Sequence, residues 1–270
     1  MSGTSVSVLL VGCGKMGGAM LQGWRRDPRL GPFVAVEPGG APEFAGSGDV
    51  AVVRELAALP AGFQPAVVVF ATKPQVMDDV VPPYARFAKD ALFVSIAAGK
   101  TVAYFRRHLG ADAAIVRAMP NTPAAVGRGI TVGCPTPQVK PAQREIADTL
   151  LRSVGAVEWV TDEGLIDAVT AVSGSGPAYV FLLAEAMAAA GAKAGLPADL
   201  AMRLARATVS GAGELLRQAP ESAEQLRKNV TSPKGTTAAA LEVLMAGDGF
   251  GPLLERAIDA AARRSRELAS

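Results

Sequence analysis

The sequence is poor in the residues on which hydrolytic and metal chemistry most often depend. Its 270 residues include one histidine, His108, and two cysteines, Cys13 and Cys134. A single histidine leaves no Ser–His pair and no histidine cluster, which excludes charge-relay hydrolases and zinc enzymes. Two cysteines far apart in sequence make neither a disulfide framework nor a metal-ligand spacing, so no metal site is expected. Charge of one sign is missing too. There are 27 Lys and Arg against 25 Asp and Glu, a net charge of +2. That balance argues against a strongly basic nucleic-acid surface. Residues 1–7 carry no basic run, and the apolar stretch 8–11 is far shorter than a signal-peptide core. The most apolar longer segment, 178–192, is interrupted by Glu185 and bounded by Pro177 and Lys193. It falls short of the ~20 residues that span a bilayer and reads as a buried helix. A soluble, cytoplasmic protein with no membrane or nucleic-acid partner is expected.

What is present is a chain built to bury a core, with 50% hydrophobic and 19% charged residues. Over the first ~160 residues short β-branched runs alternate with helical patterns. Residues 6–11, 33–36, 66–70 (AVVVF) and 92–96 (LFVSI) read as strands, with shorter candidates at 113–116, 130–132 and 157–160. A helix is expected from Met16 to about Arg26. Continuous apolar runs of strand length fit a parallel sheet covered on both faces. The alternation predicts βαβ units and a doubly wound sheet. From Leu165 onward no strand is expected. Segments 178–194, 198–217, 233–245 and 252–268 read as helices, rich in alanine and glycine and broken by prolines suited to helix starts. Such apolar helices need a partner, which predicts a dimer through the helical region.

The first strand runs into Gly12-Cys13-Gly14-Lys15-Met16-Gly17, a complete G-x-G-x-x-G followed by a helix. In a Rossmann-type dinucleotide site the first glycine permits the tight turn. The second lets backbone approach a pyrophosphate, and the third lets helix pack on strand. The helix N-terminus then offers bare N–H groups and a positive dipole end. Cys13, Lys15 and Met16 are the variable positions of this loop and count with the cofactor-binding residues. At the end of the second strand, Glu37 stands where an acid would bond the ribose 2′-hydroxyl of NAD and repel the 2′-phosphate of NADP. No Arg or Lys occurs between Glu37 and Arg54. NADH is therefore favoured, with NADPH not excluded. Thr72 and Lys73 follow the third strand, and Ala97 and Ala98 the fourth. Both loops lie where open α/β sheets bind ligands. The architecture read from these signals is an α/β Rossmann-type domain over residues 1–162, then an all-helical dimerisation domain over 163–270.

The motifs also carry a resemblance. VGCGKMG at 11–17, ATKPQ at 71–75, SIAAG at 95–99 and MPNTPAAVGRG at 119–129 come first. DAVTAVSGSGPAYVF at 167–181, AGLP at 194–197 and NVTSPKGTT at 229–237 follow. Together they make the chain similar, nearly end to end, to the pyrroline-5-carboxylate reductases. The resemblance implies a Rossmann domain, a helical dimerisation domain and larger rings assembled from dimers. It implies hydride transfer from NAD(P)H to the C=N carbon of a five-membered cyclic imine, giving L-proline. It also implies that the loop Ser232, Lys234, Gly235, Thr236 and Thr237 holds the substrate carboxylate. The Thr237 hydroxyl would bond the imine nitrogen as the catalytic contact, Asn229 would touch the cofactor, and Glu163 would lie near the ring. On its own pattern, Ser232-Pro233 reads as a helix N-cap followed by proline at the first helical position. That would leave the N–H groups of residues 234–237 for an anion. Asn121 would fix backbone geometry, and Ser175, with no base to activate it, is structural.

Two departures stand out. Many members carry glycine where this chain has Lys234, and several that favour NADPH carry small polar residues near Glu37. The alternatives are a related imine or β-hydroxyacid reductase and a non-catalytic dinucleotide sensor. Lys193 and Lys228 lack the context of the β-hydroxyacid dehydrogenase lysine, and a sensor has no use for a carboxylate-binding loop.

Overall fold

The computed structural model describes residues 5–269. Its sheet contains β1 (Val6–Val11), β2 (Leu30–Val36), β3 (Val50–Val53), β4 (Val67–Phe70), β5 (Leu92–Ser95), β6 (Ala114–Met119), β7 (Gly129–Pro135) and β8 (Gly155–Trp159). The spatial order is β3-β2-β1-β4-β5-β6-β7-β8. Neighbours are parallel except β6 with β7. The order reverses at β1 and β4, the switch point beyond whose strand ends a doubly wound sheet binds its ligand. The doubly wound plan read from the sequence is thus the observed one.

Interspersed helices are α1 (Lys15–Trp24), α2 (Met77–Val80), α3 (Val102–Leu109), α4 (Pro141–Arg152) and α5 (Leu165–Val169). Side chains alternate across β1. Val8 and Leu10 join Met20, Leu21, Trp24, Leu150 and Leu151 on one face. Leu9 and Val11 join Phe70, Met77, Phe93 and Phe105 on the other. Every residue of β4 is buried, which is why its sequence is unbroken apolar instead of alternating. Each such side chain contributes about 1.5–3 kcal/mol. The Trp24 indole N–H donates to the Leu150 carbonyl at 2.9 Å, so its polar end is satisfied where α1 meets α4.

Up to Gly174, and again from Ala262, the chain forms one compact unit; Ser175–Ala261 form a second. Helices α6 (Gly176–Lys193), α7 (Ala198–Gln218), α8 (Ala223–Asn229) and α9 (Thr236–Leu244) belong to the second. Helix α10 (Phe250–Leu268) starts in the second and ends in the first. Helices α6 and α7 approach closely. A methyl group at Gly191 would stand 3.4 Å from the Ala201 Cβ.

Two expectations are corrected, and two elements come unannounced. Segment 178–192 is not buried within one chain: Phe181 and Leu182 are each 62% exposed. The continuous helix Leu165–Lys193 is long and apolar enough to cross a membrane by length and composition, with 11% of its apolar window buried. It is apolar around its circumference, more than its neighbours in one chain can cover. The helix expected over 233–245 begins only at Thr236. Strand β3 and helix α8 were not anticipated. β3 has four residues at the sheet edge. α8 is short, its start capped by Ser222 Oγ accepting from Gln225 N–H at 3.1 Å, and no apolar periodicity announces it.

Candidate active site

Strand β1 delivers the glycine loop to the switch point. Gly12 has φ +92°, and a Cβ there would stand 2.9 Å from the Ala71 carbonyl carbon and 2.8 Å from the Thr72 methyl. Only glycine fits. Gly17 packs onto the Gly12 carbonyl. Gly14 is different: it caps α1 in an extended conformation, and a Cβ on it would meet nothing within 4 Å. That open space lies over the first turn of α1, which carries no acidic side chain to oppose an anion. Lys15 is exposed and Met16 half-buried against the core. Cys13 is buried. Its thiol is pushed up to about 12 by burial first, then by the Glu43 and Glu37 carboxylates, so it is a neutral wall and not a nucleophile.

Glu37 follows β2 and accepts the backbone N–H of Cys13 at 2.7 Å through Oε2. Its Oε1 stands 3.4 Å from the Gly39 N. The carboxylate therefore clamps the glycine loop. Next to it lies a residue the sequence reading did not single out. Val36 pairs with Val53 across β2 and β3, and Glu37 N–H donates to Val53 O at 2.9 Å. Arg54 thus emerges beside Glu37. Gly12, Gly14, Glu37, Arg54, Thr72 and Lys73 line one cleft of about 650 Å³. Leu56, Val76, Val80 and Tyr84 add apolar lining. Burial pushes the Tyr84 phenol up to about 12, so it stays neutral. The residues fit a dinucleotide on two counts. The cradle at Gly14 is one that a Cβ would fill, and Thr72 Oγ1 is buried with no hydrogen-bond partner. Ala97 is buried and Ala98 exposed beyond β5; neither lines this cleft. The Ala97 N–H donates to Ser95 Oγ at 3.2 Å.

Glu163 is tied to the protein. Its Oε1 accepts from Arg117 Nη1 at 2.8 Å and from the Val102 N–H at 2.8 Å, at the start of α3. Arg117 itself is buried in β6 and was not singled out from the sequence. Asn121 does fix backbone: Oδ1 accepts the Ile130 N–H at 2.9 Å, and Nδ2 donates to the Ser173 carbonyl at 3.2 Å. Ser173 lies in a π-helical turn, Thr170–Gly174, a feature that often marks functional sites.

In the second unit the loop before α9 departs from the expected cap. Ser232 is not the N-cap. Gly235 is, with φ −82° and ψ 174°. Gly235 N–H donates to the Ser232 carbonyl at 3.0 Å, so residues 232–235 form a turn and that N–H is spent. Pro233 occupies the second position and Lys234 the third with φ 59°, the signature of a type II turn, which favours glycine there. A Cβ on Gly235 would stand 2.5 Å from Ser232 Oγ, which rotation of that side chain relieves, and 3.1 Å from the Ser232 carbonyl oxygen. Thr236 and Thr237 then open α9, where helix geometry leaves the first N–H groups without intrahelical partners. Thr236 is exposed and Thr237 half-buried. Asn229 ends α8, exposed, its Oδ1 accepting from Gln225 Nε2 at 2.7 Å.

A doubly wound sheet with a glycine loop facing an open, partly apolar cleft defines a dinucleotide-binding protein. Residues 163–268 match the family described as pyrroline-5-carboxylate reductase dimerisation. The chain is 40% identical over 264 residues to the pyrroline-5-carboxylate reductase of Pseudomonas aeruginosa, spanning 97% of this chain and 96% of that one. The pyrroline-5-carboxylate reductase structure from Coxiella burnetii superposes with a TM-score of 0.88 at 32% identity, over 99% of this chain and 100% of that one. The Plasmodium falciparum enzyme, with NADP bound, gives 0.81 at 27% identity over 98% of each chain. The chain belongs to the pyrroline-5-carboxylate reductase family.

Proposed function

We propose that this chain reduces pyrroline-5-carboxylate to L-proline, the last step of proline biosynthesis. The observation that carries the reading is the open cradle at Gly14, in a chain alike to a reductase over 97% of its length. A reduced nicotinamide dinucleotide, when bound, supplies the hydride at C4. The amides after Gly14 hold its pyrophosphate, with Lys15 at the rim. Thr72 Oγ1 gains a partner, and Glu37 Oε1 faces the ribose hydroxyls, which supports NADH use. The resemblance implies further cofactor contacts from Ala97 and Ala98, which lie outside this cleft, and from Asn229.

In the second unit, the N–H groups of Thr236 and Thr237, with the Ser232, Lys234 and Gly235 turn, receive the substrate carboxylate at a helix N-terminus. The Thr237 hydroxyl bonds the ring nitrogen and holds the imine for attack. A cyclic imine takes up its proton from water before reduction, so no strong general acid is required. Glu163 serves by positioning, through Arg117 and the start of α3. The exposed apolar face of α6 is covered by a second copy of the chain, and dimers assemble into a larger ring in the cytoplasm.

Turnover of pyrroline-5-carboxylate with NADH and with NADPH, beside its six-membered homologue, tests the reading. Expected is cofactor oxidation with the five-membered imine, with proline as product. Oxidation of a β-hydroxyacid and no action on either imine would overturn it.

A further inference from the structure

We propose that Arg54 determines cofactor specificity by holding the 2′-phosphate of NADPH. The inference rests on the dinucleotide reading above and concerns the far end of the same cleft. Arg54 follows β3 directly and stands beside Glu37, because Val53 is the register partner of Val36. In an open α/β sheet, the end of the strand after the glycine helix meets the adenosine ribose, and a nearby arginine accommodates the 2′-phosphate. Arg54 lines the cleft, is exposed, and has no hydrogen bond or ion pair among the described residues. Its guanidinium is therefore uncommitted, and a planar fork of donors suits a phosphate.

The charges around it make the assignment sharp. Glu37, Glu55 and Asp79 line the cleft against Arg54 and Lys73, so its overall field does not favour an added dianion. Acceptance of the 2′-phosphate has to come from a local contact. Glu37 has one oxygen committed to the Cys13 N–H, and the Arg54 cation beside it is the group placed to offset the remaining negative charge towards a phosphate. Lys73 follows β4, on the other side of β1 from β2, and so belongs nearer the pyrophosphate.

The experiment compares wild type, Arg54→Ala and Arg54→Lys with NADPH and NADH separately. It reads KM at saturating imine, and direct binding of each cofactor by its fluorescence. Arg54→Ala is expected to weaken NADPH roughly 10–100-fold, the loss of charge-assisted hydrogen bonds, and to leave NADH within about twofold. Arg54→Lys should fall between. An equal loss for both cofactors would place Arg54 on the adenine or in the fold and overturn the proposal. So would unchanged NADPH binding, or a wild type that binds NADH alone. Cofactor binding without turnover of the imine would leave Arg54 testable by fluorescence while refuting the reductase reading.

Discussion

Arg117 Nη1 donates to Glu163 Oε1 at 2.8 Å from a side chain that is 5% exposed, and the same carboxylate oxygen receives the Val102 N–H. The two side chains are 46 residues apart in sequence, and through Glu163 the pair ties β6 to the start of α3. Removing the carboxylate leaves a buried guanidinium without its counter-charge. Glu163→Ala should cost about 2–3 kcal/mol, below the 3–5 of a fully buried pair because Glu163 remains 32% exposed. Urea unfolding measures this as a lowered midpoint at unchanged slope. If Glu163 acts by positioning, the KM for the imine stays near wild type in the folded variant. A tenfold rise with stability intact would put the carboxylate on the substrate instead.

Gly14 and Gly12 should respond differently to side chains. A Cβ at Gly14 meets no protein atom within 4 Å and the backbone there is extended, so the Tm of Gly14→Val should stay within a few degrees of wild type while cofactor binding is lost. Gly12→Ala is strained at φ +92° and crowds Ala71. It should lose stability by about 1–3 kcal/mol. Calorimetric titration with NADH and thermal unfolding on both variants separate the effects.

Lys234 holds a left-handed conformation that costs a lysine about 1–2 kcal/mol, of which glycine would recover part after its own loss of backbone entropy. Lys234→Gly should therefore gain about 0.5–1 kcal/mol in unfolding free energy. Lys234→Ala keeps the strain and removes the charge. A raised KM for the imine in both variants would assign the ammonium to the carboxylate. A change in Lys234→Gly alone would assign the effect to loop geometry.

Cys13 gives a pH signature. Burial holds its thiol neutral up to about 12, from an ordinary 9.0. The unfolded thiol ionises first, so the unfolded state binds fewer protons over that interval. The stabilisation is complete below pH 9.0 and is lost as pH rises towards about 12. Stability measured across this range should fall less steeply in Cys13→Ala. Native-state alkylation of Cys13 should stay slow at neutral pH, where the unfolded chain reacts.

The sheet was legible where burial on both faces leaves a plain record. β1 was read with its true ends, because apolar residues crowd a strand that meets a glycine turn. β4, wholly buried, announced itself as an unbroken valine run. β3 left no such record: four residues at the sheet edge, three of them only half-buried. Missing it hid Arg54, whose place beside Glu37 depends on strand pairing. The loop before α9 was misread for a related reason. Ser-Pro opens helices and type II turns alike, and only the φ of Lys234, a residue with no preference for that region, tells them apart. The exposure of α6 was invisible because a helix covered by its own chain and one covered by another share the same composition. Glu163 was recognised by resemblance, but its partner Arg117 lies on a distant strand that no local pattern connects to it.

Hydride transfer from the cofactor to the imine carbon is tested most directly by isotope. NADH or NADPH carrying deuterium at C4 is supplied with pyrroline-5-carboxylate, and the product is read by mass spectrometry. The expected product is proline bearing one deuterium on the ring carbon next to nitrogen that does not carry the carboxylate, from one face of the nicotinamide only. Proline without label from either deuterated face, or no proline at all from a folded chain that binds the cofactor, would contradict it.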